Sequence, residues 1–253
     1  GGYLVPILVS TGGGNVAAAM IYALIISTSG LLLTRYVYRP WLWWGIVSGI
    51  LSWWLIAVVD AKAEDFQGIY LAIATYLLLA IPRFDWLLTG LIRADNASGD
   101  SIDEPSIEAA PVSGSLKFGL ALITAAWGLS LHLAADQPLT VLHWAPLVVV
   151  IGLAARNRPA LTVFSWLSLI VSCVAIGFAQ LYFDYEAGWQ LEAMAEPARK
   201  ALLMFALQIS AIYIWLEAVG LKGRSFSHLK CSLLCLAPLA WLALAYLLTG
   251  DLS

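Results

Sequence analysis

Eight apolar stretches of near membrane-spanning length follow one another along the chain, separated by polar connections. A spanning α-helix needs about 20 mainly apolar residues. The predicted spans are residues 15–34, 41–59, 66–82, 115–134, 139–155, 159–183, 199–220 and 229–249. Pro40, Pro138 and Pro159 each lie at the start of a stretch, where proline fits the first turn of a helix. The pattern predicts an all-α fold, a polytopic transmembrane helical bundle of about eight spans.

One long polar stretch divides the predicted helices into two groups. Residues 1–93 are predicted to form a first helical group, in which Pro82 ends the third span early and 85–93 are predicted to be a separate helix in the membrane interface. Because the third span is the weakest, a count of seven or nine spans stays open. Residues 94–114 are predicted to form an acidic loop, because their composition is typical of a disordered segment. Residues 115–253 form a second helical group with the remaining five spans.

The basic residues predict the orientation of the bundle, because Lys and Arg are retained in short loops on the cytoplasmic side. One set of alternate loops holds ten of the 13 basic residues: Arg35, Arg39, Arg83, Arg93, Lys117, Arg156, Arg158, Lys222, Arg224 and Lys230. The other set holds the remaining three: Lys62, Arg199 and Lys200. This asymmetry places both termini on the outer (periplasmic) side and the loop 94–114 in the cytoplasm.

Composition supports a bilayer environment. The 253 residues are 61% hydrophobic and only 11% charged, whereas a soluble domain is roughly 45–50% apolar and about 25% charged. Membrane lipids are therefore the expected partners. A net charge of -3 with scattered basic residues excludes nucleic acid as a partner, since phosphate binding needs clustered Lys and Arg. The three cysteines fall in or beside apolar stretches and predict no disulfide framework.

Three runs near the N-terminus carry a family resemblance. They are Gly1-Gly2-Tyr3-Leu4-Val5-Pro6, Ser10-Thr11-Gly12-Gly13-Gly14-Asn15 and Arg39-Pro40-Trp41-Leu42-Trp43-Trp44. These runs resemble a signature of the bacterial predicted membrane proteins called domain of unknown function 2339 (DUF2339). The resemblance implies a multipass protein of the bacterial inner membrane. In that family the first run lies within a longer helical array, which implies further upstream helices as partners, and the resemblance carries over no catalytic or binding residue.

Small residues form stripes along the first two predicted spans. The stripe in the first span consists of Ala23, Ser27, Gly30 and Thr34. The stripe in the second span consists of Gly45, Ser48, Gly49 and Ser52. Small side chains let helix backbones approach closely in a membrane, where lipid supplies no hydrophobic drive. Both stripes are predicted to be packing seams.

Polar residues share helix faces in the sixth and seventh predicted spans. These candidates for a polar path are Ser165, Ser168, Ser172 and Gln180 in the sixth span and Ser210, Tyr213 and Glu217 in the seventh. An ionisable residue at membrane depth is treated as a functional hypothesis, so one interpretation is a path for a substrate or proton. The other is interhelical hydrogen bonding, with Glu217 reaching the interface or pairing with Lys222 or Arg224.

Two further clusters contain metal-ligating residue types. His132, Asp136 and His143 flank the turn between the fourth and fifth spans, where they suit a transition metal. A hairpin turn with interfacial histidines beside Trp144 explains the same residues. The second cluster, His228, Cys231 and Cys235, has i, i+3, i+7 spacing, but a structural zinc site needs a fourth ligand. Ordinary helix packing is therefore favoured for this second cluster.

Three functional hypotheses follow from these features. The favoured one is a non-enzymatic envelope or scaffold component, because little charge lies inside the predicted spans. The second is a transporter or channel with its path at Glu217 and the serine face of the sixth span. The third is a membrane enzyme using the outer histidines, for which no complete set of nucleophile, base and metal ligands can be assembled. No cofactor is predicted.

Overall fold

The computed structural model describes residues 15–36, 39–60, 64–81, 114–135, 137, 139–157, 159–184, 188–191, 196–220 and 228–249. Within these residues the apolar stretches form eight α-helices, each overlapping one predicted span, so the all-α bundle is confirmed. They are α1 Val16–Tyr36, α2 Pro40–Asp60, α3 Glu64–Ala80, α4 Gly114–Leu133, α5 Val141–Asn157, α6 Thr162–Ala179, α7 Glu196–Gly220 and α8 His228–Thr249. The predicted interfacial helix 85–93 and nearly all of the loop 94–114 lie outside the described residues.

The sixth predicted span ends earlier than its hydrophobicity indicates. A 3-10 turn, Pro159–Leu161, leads into α6, and the backbone N–H of Gln180 bonds to the carbonyl of Gly177, a tight turn that closes the helix. The chain then forms strand β1, Leu181–Asp184, which pairs antiparallel with β2, Gly188–Leu191. The expected helix over 181–183 is therefore wrong. These residues include two aromatic side chains, which favour strand geometry as well as apolar surroundings.

By length and composition, five helices of the described chain suit a membrane span: α1, α2, α4, α6 and α7. The apolar segments of α3, α5 and α8 are shorter, at Phe66–Ala80, Val141–Ala155 and Cys235–Leu244. A count of about eight spans stays a prediction.

The helices form two rows, in which each helix packs against the helix two places along the chain. The odd row contains α1, α3, α5 and α7, and the even row contains α2, α4, α6 and α8. The rows contact each other through α1 with α2, α2 with α3, α3 with α4, α5 with α6, and α7 with α8. The two predicted helical groups are thus continuous, because α3 packs on both α4 and α5.

Two contacts define how α4 lies against α2. Gly119 lies against the side chain of Val47, and further along both helices Ser130 accepts a hydrogen bond from Trp54. The contact points advance in the same direction along both chains. Helices α2 and α4 are therefore parallel neighbours in the even row.

The opposite face of α4 packs on α6. Gly128 lies against Val171, and the ring of His132 bonds to the carbonyl oxygen of Ala175. Gly128 follows Gly119 by nine residues, and at about 100° per residue this places the two glycines about 180° apart around the helix. Helix α4 therefore contacts both of its row neighbours through glycine.

Helix α5 of the odd row also has close glycine contacts on two opposite faces, one with α3 and one with α7. A Cβ at Gly68 of α3 would meet the carbonyl oxygen of His143 and, at 3.1 Å, the ring of Trp144. A Cβ at Gly152 would lie 2.7 Å from Leu216 of α7. His143 and Gly152 are again nine residues apart, hence on opposite faces. Glycine therefore determines how closely α5 approaches each neighbour.

Of the two small-residue stripes that were predicted to be packing seams, the one in α1 lies in a helix contact. In α1, Ala23, Ser27 and Thr34 are buried, and a Cβ at Gly30 would lie 3.0 Å from Ile46 of α2, which confirms the first seam.

In α2, Gly45, Ser48 and Ser52 are exposed, so the second seam is wrong for these three positions, although Gly49 is buried. The physical reason is that α2 packs through its large side chains instead, including buried Trp53. The two serine hydroxyls donate to carbonyls of α2 itself and need no neighbouring helix.

We expect Gly68→Ala to lower the free energy of unfolding by about 1–3 kcal/mol, because the added methyl group collides with backbone that cannot rotate away. Gly45→Ala is the matched control, since no heavy atom lies within 4 Å of its Cβ position. It should be neutral or raise stability by up to about 1 kcal/mol through helix propensity. Unfolding of both variants in the same detergent measures the difference, and equal effects would contradict the α3–α5 contact.

Candidate functional site

The serine face of α6 is buried inside the bundle. Ser168 and Ser172 are 0% exposed, and Ser165 is buried beside them. The hydroxyl of Ser168 donates to the carbonyl of Ser165 at 2.8 Å, and that of Ser172 donates to the carbonyls of Ser168 at 2.7 Å and Leu169 at 2.9 Å. Such bonds satisfy a hydroxyl within its own helix.

The polar face of α7 meets the serine face at one point. The Tyr213 hydroxyl lies 3.2 Å from the Ser168 hydroxyl oxygen, and both residues are buried. Because the Ser168 hydroxyl already donates its hydrogen bond to the carbonyl of Ser165, Tyr213 is the donor in the bond between the two hydroxyls. Ser210, one turn earlier, donates to the carbonyl of Ala206 at 2.6 Å. The structure therefore brings together the two faces that the sequence identified separately.

The remaining candidates for the polar path lie toward the helix ends. Gln180 is buried just after α6. It follows Ser172 by eight residues, which is about 12 Å along a helix. Glu217 lies near the C-terminal end of α7, four residues after Tyr213, and its side chain is outside the described part of the structure. A continuous path through all these residues stays a prediction.

His132 and His143, the two histidines of the predicted metal site, each make a separate hydrogen bond. Nδ1 of His132 lies 3.1 Å from the carbonyl oxygen of Ala175. Because a carbonyl oxygen only accepts hydrogen bonds, Nδ1 carries the proton. His143 bonds through its ring to the hydroxyl of Thr140, just before α5. Asp136 lies outside the described residues. No group of three His, Cys, Asp or Glu within the described ranges is placed to hold a metal ion, and the predicted site including Asp136 stays a prediction.

The cysteine cluster at the start of α8 is described only in part. His228 begins α8, but its side chain and that of Cys231 are outside the described residues. Cys235 is exposed, while Cys173 in α6 is half-buried, and both are free thiols.

A second polar site, which the sequence analysis missed, lies between α2, α3, α4 and α5. The indole N–H of Trp54 donates to the hydroxyl of Ser130 at 2.8 Å, and both side chains are buried. Gln67 of α3 is buried beside a cavity that Ser130 also lines. The signal available in the sequence was a lone glutamine at the start of an otherwise apolar stretch.

These features define the class of the protein. Its long apolar helices, and buried hydroxyls that donate to carbonyls of their own helix, are those of a polytopic α-helical membrane protein. The chain belongs to the family described as "Predicted membrane protein (DUF2339)", whose family model matches residues 1–251. The match confirms the resemblance first carried by the N-terminal runs and extends it over nearly the whole chain. No curated protein and no solved structure matches it.

We expect removal of either partner of the Ser168–Tyr213 hydrogen bond to lower the free energy of unfolding, by different amounts. Tyr213→Phe leaves Ser168 bonded to Ser165 and should cost about 1 kcal/mol, whereas Ser168→Ala leaves a buried phenol unpaired and should cost about 1–3 kcal/mol. A double-mutant cycle in one detergent should give a coupling of about 0.6 kcal/mol, a typical value for interhelical bonds in membranes. Additive losses would show that the two hydroxyls do not interact.

Proposed function

We propose that the protein is a non-enzymatic scaffold of the bacterial inner-membrane envelope. In this proposal the two rows of helices form a rigid platform in the bilayer, and partners bind at the loops. Membrane lipids surround the array.

The hydrogen bonds of the buried serine face are the observation that supports this proposal. Ser165, Ser168 and Ser172 lie where a polar path was predicted, but the hydroxyls of Ser168 and Ser172 are already bonded to protein carbonyls. The hydroxyl of Tyr213 is also bonded within the protein, since it donates to the hydroxyl of Ser168. A transport path needs polar groups that can exchange their partners with water or substrate. Polar groups bonded within the protein act instead as contacts that hold helices together.

The orientation is a separate part of the proposal. Its support is the unequal distribution of Lys and Arg between alternate loops, which places both termini in the periplasm and the acidic loop 94–114 in the cytoplasm. The family supports a membrane location.

Cysteine accessibility tests the scaffold against the transport alternative. In a background with Cys173→Ala, Cys231→Ala and Cys235→Ala, we expect Ser172→Cys to resist a charged, membrane-impermeant thiol reagent until the protein is denatured. Gln137→Cys is the control, because Gln137 is exposed in the turn after α4. Modification of Ser172→Cys at a rate comparable to the control would establish a hydrated path and refute the scaffold proposal.

The same reagent applied to intact cells tests the orientation. Gln137→Cys should be modified from outside, whereas Ser98→Cys in the loop 94–114 should react only after the membrane is permeabilised. Labelling of Ser98→Cys in intact cells, with Gln137→Cys protected, would reverse the proposed orientation.

A further inference from the structure

A cavity lies where the end of α2, the start of α3, the end of α4 and the start of α5 meet. Its lining residues are Val58, Gln67, Ser130, Leu133, Ala134 and Trp144. The space open to water is about 40 Å³. One water needs about 10–15 Å³ on this measure, so the cavity holds about three waters or a group of a few heavy atoms.

Gln67 is the longest polar side chain among the described residues that line the cavity. Its side chain is 5% exposed, and its amide makes no hydrogen bond to any residue in the described ranges. Tyr70, one turn further along α3, is buried as well but donates to the carbonyl of Ile50 at 3.0 Å. The amide has two N–H donors and one carbonyl acceptor, and it lies on the wall of the cavity, where a bound group can reach it. The partner of Gln67 is therefore expected inside the cavity.

Ser130 contributes a second polar group to the same space. Its oxygen accepts the indole N–H of Trp54 at 2.8 Å, which fixes the position of the hydroxyl. Its own proton has no protein acceptor in the described chain and is available to a ligand. Gln67 and Ser130 together present both donors and an acceptor, a combination that matches a hydroxyl group.

The rest of the described wall favours a neutral group over an ion. Val58, Leu133, Ala134 and Trp144 are apolar or aromatic, and none of the described residues that line the cavity is charged. Enclosing an ion without a countercharge is strongly unfavourable. The apolar atoms instead suit the carbon atoms of a short aliphatic group that carries hydroxyls.

We propose that this cavity binds the hydroxylated end of a neutral polyol, a group of about the size of a glycerol terminus. Gln67 and Ser130 hydrogen-bond the hydroxyls, and Trp144 contacts the carbons. Two sources provide this chemistry, a free polyol and the glycerol headgroup of a lipid. The site lies at the ends of four helices, the level at which headgroups meet a membrane-embedded bundle.

Fluorine NMR of the full chain labelled with 5-fluorotryptophan tests this proposal. The protein is placed in phosphatidylcholine nanodiscs, which contain no glycerol headgroup terminus, and glycerol is the probe. Trp54→Phe and Trp144→Phe serve only to assign the two signals. We expect saturable shifts of both signals on titration with glycerol.

Gln67→Leu should abolish the saturable shifts, because it removes the amide while keeping a side chain of similar size. Its thermal stability should change little, since the amide that it removes bonds to no described residue. Gln137→Leu, the same substitution at an exposed glutamine, should leave the shifts intact. Shifts that increase linearly with glycerol, or that persist in Gln67→Leu, would overturn the proposal.

Nanodiscs of phosphatidylglycerol separate the two sources. If the lipid headgroup occupies the site, both signals should already lie at their shifted positions without glycerol, and Gln67→Leu should restore the unshifted positions. If only free glycerol moves the signals, the ligand is a soluble polyol. An absence of saturable shifts in both lipids would mean that the cavity holds water alone and would refute the site.

Discussion

The close approach of alternate helices at glycine is the contact on which the rest of the structure depends. Lipid chains are as apolar as leucine, so helices in a membrane associate through close packing and hydrogen bonds rather than through a hydrophobic drive. Gly68 meets the backbone of α5, Gly128 meets Val171 of α6, and Gly152 meets Leu216 of α7. Each contact joins helices two places apart in the chain. The two-row arrangement follows from these contacts.

The hydrogen bonds between helices reinforce the same arrangement. Ser130 and His132 are two residues apart on α4, which places them about 200° apart around the helix. Ser130 therefore bonds to Trp54 of α2 while His132 bonds to the carbonyl of Ala175 of α6. Near the C-terminal end of α4, these two hydrogen bonds join it to its even-row neighbours α2 and α6. For His132 this means that one ring nitrogen is already used in helix packing, which limits its role in the predicted metal site to Nε2.

Sequence alone predicted the helices well because length and hydrophobicity determine them, and every described helix overlaps a predicted span. It failed at β1, because the aromatic residues of that segment suit a membrane helix as well as a strand. It also failed for the exposed Gly45 and Ser48 of α2. A helix that is apolar all round gives no periodic signal for the face that packs. Large aromatic residues occupied the interface of α2, which no count of small residues predicts.

The candidate sites show the same limit for polar residues. The shared faces of Ser168 and Tyr213 were predictable from spacing within each helix, whereas their bond depends on how α6 and α7 are placed. Gln67 was missed because one glutamine near a helix start forms no pattern. Several short hydroxyl side chains in this bundle donate to the backbone of their own helix, as Ser172 does. The longer amide of Gln67 faces a cavity and has no hydrogen-bond partner among the described residues. A polar group that the fold does not use is stronger evidence for a ligand than a stripe of groups that the fold already satisfies.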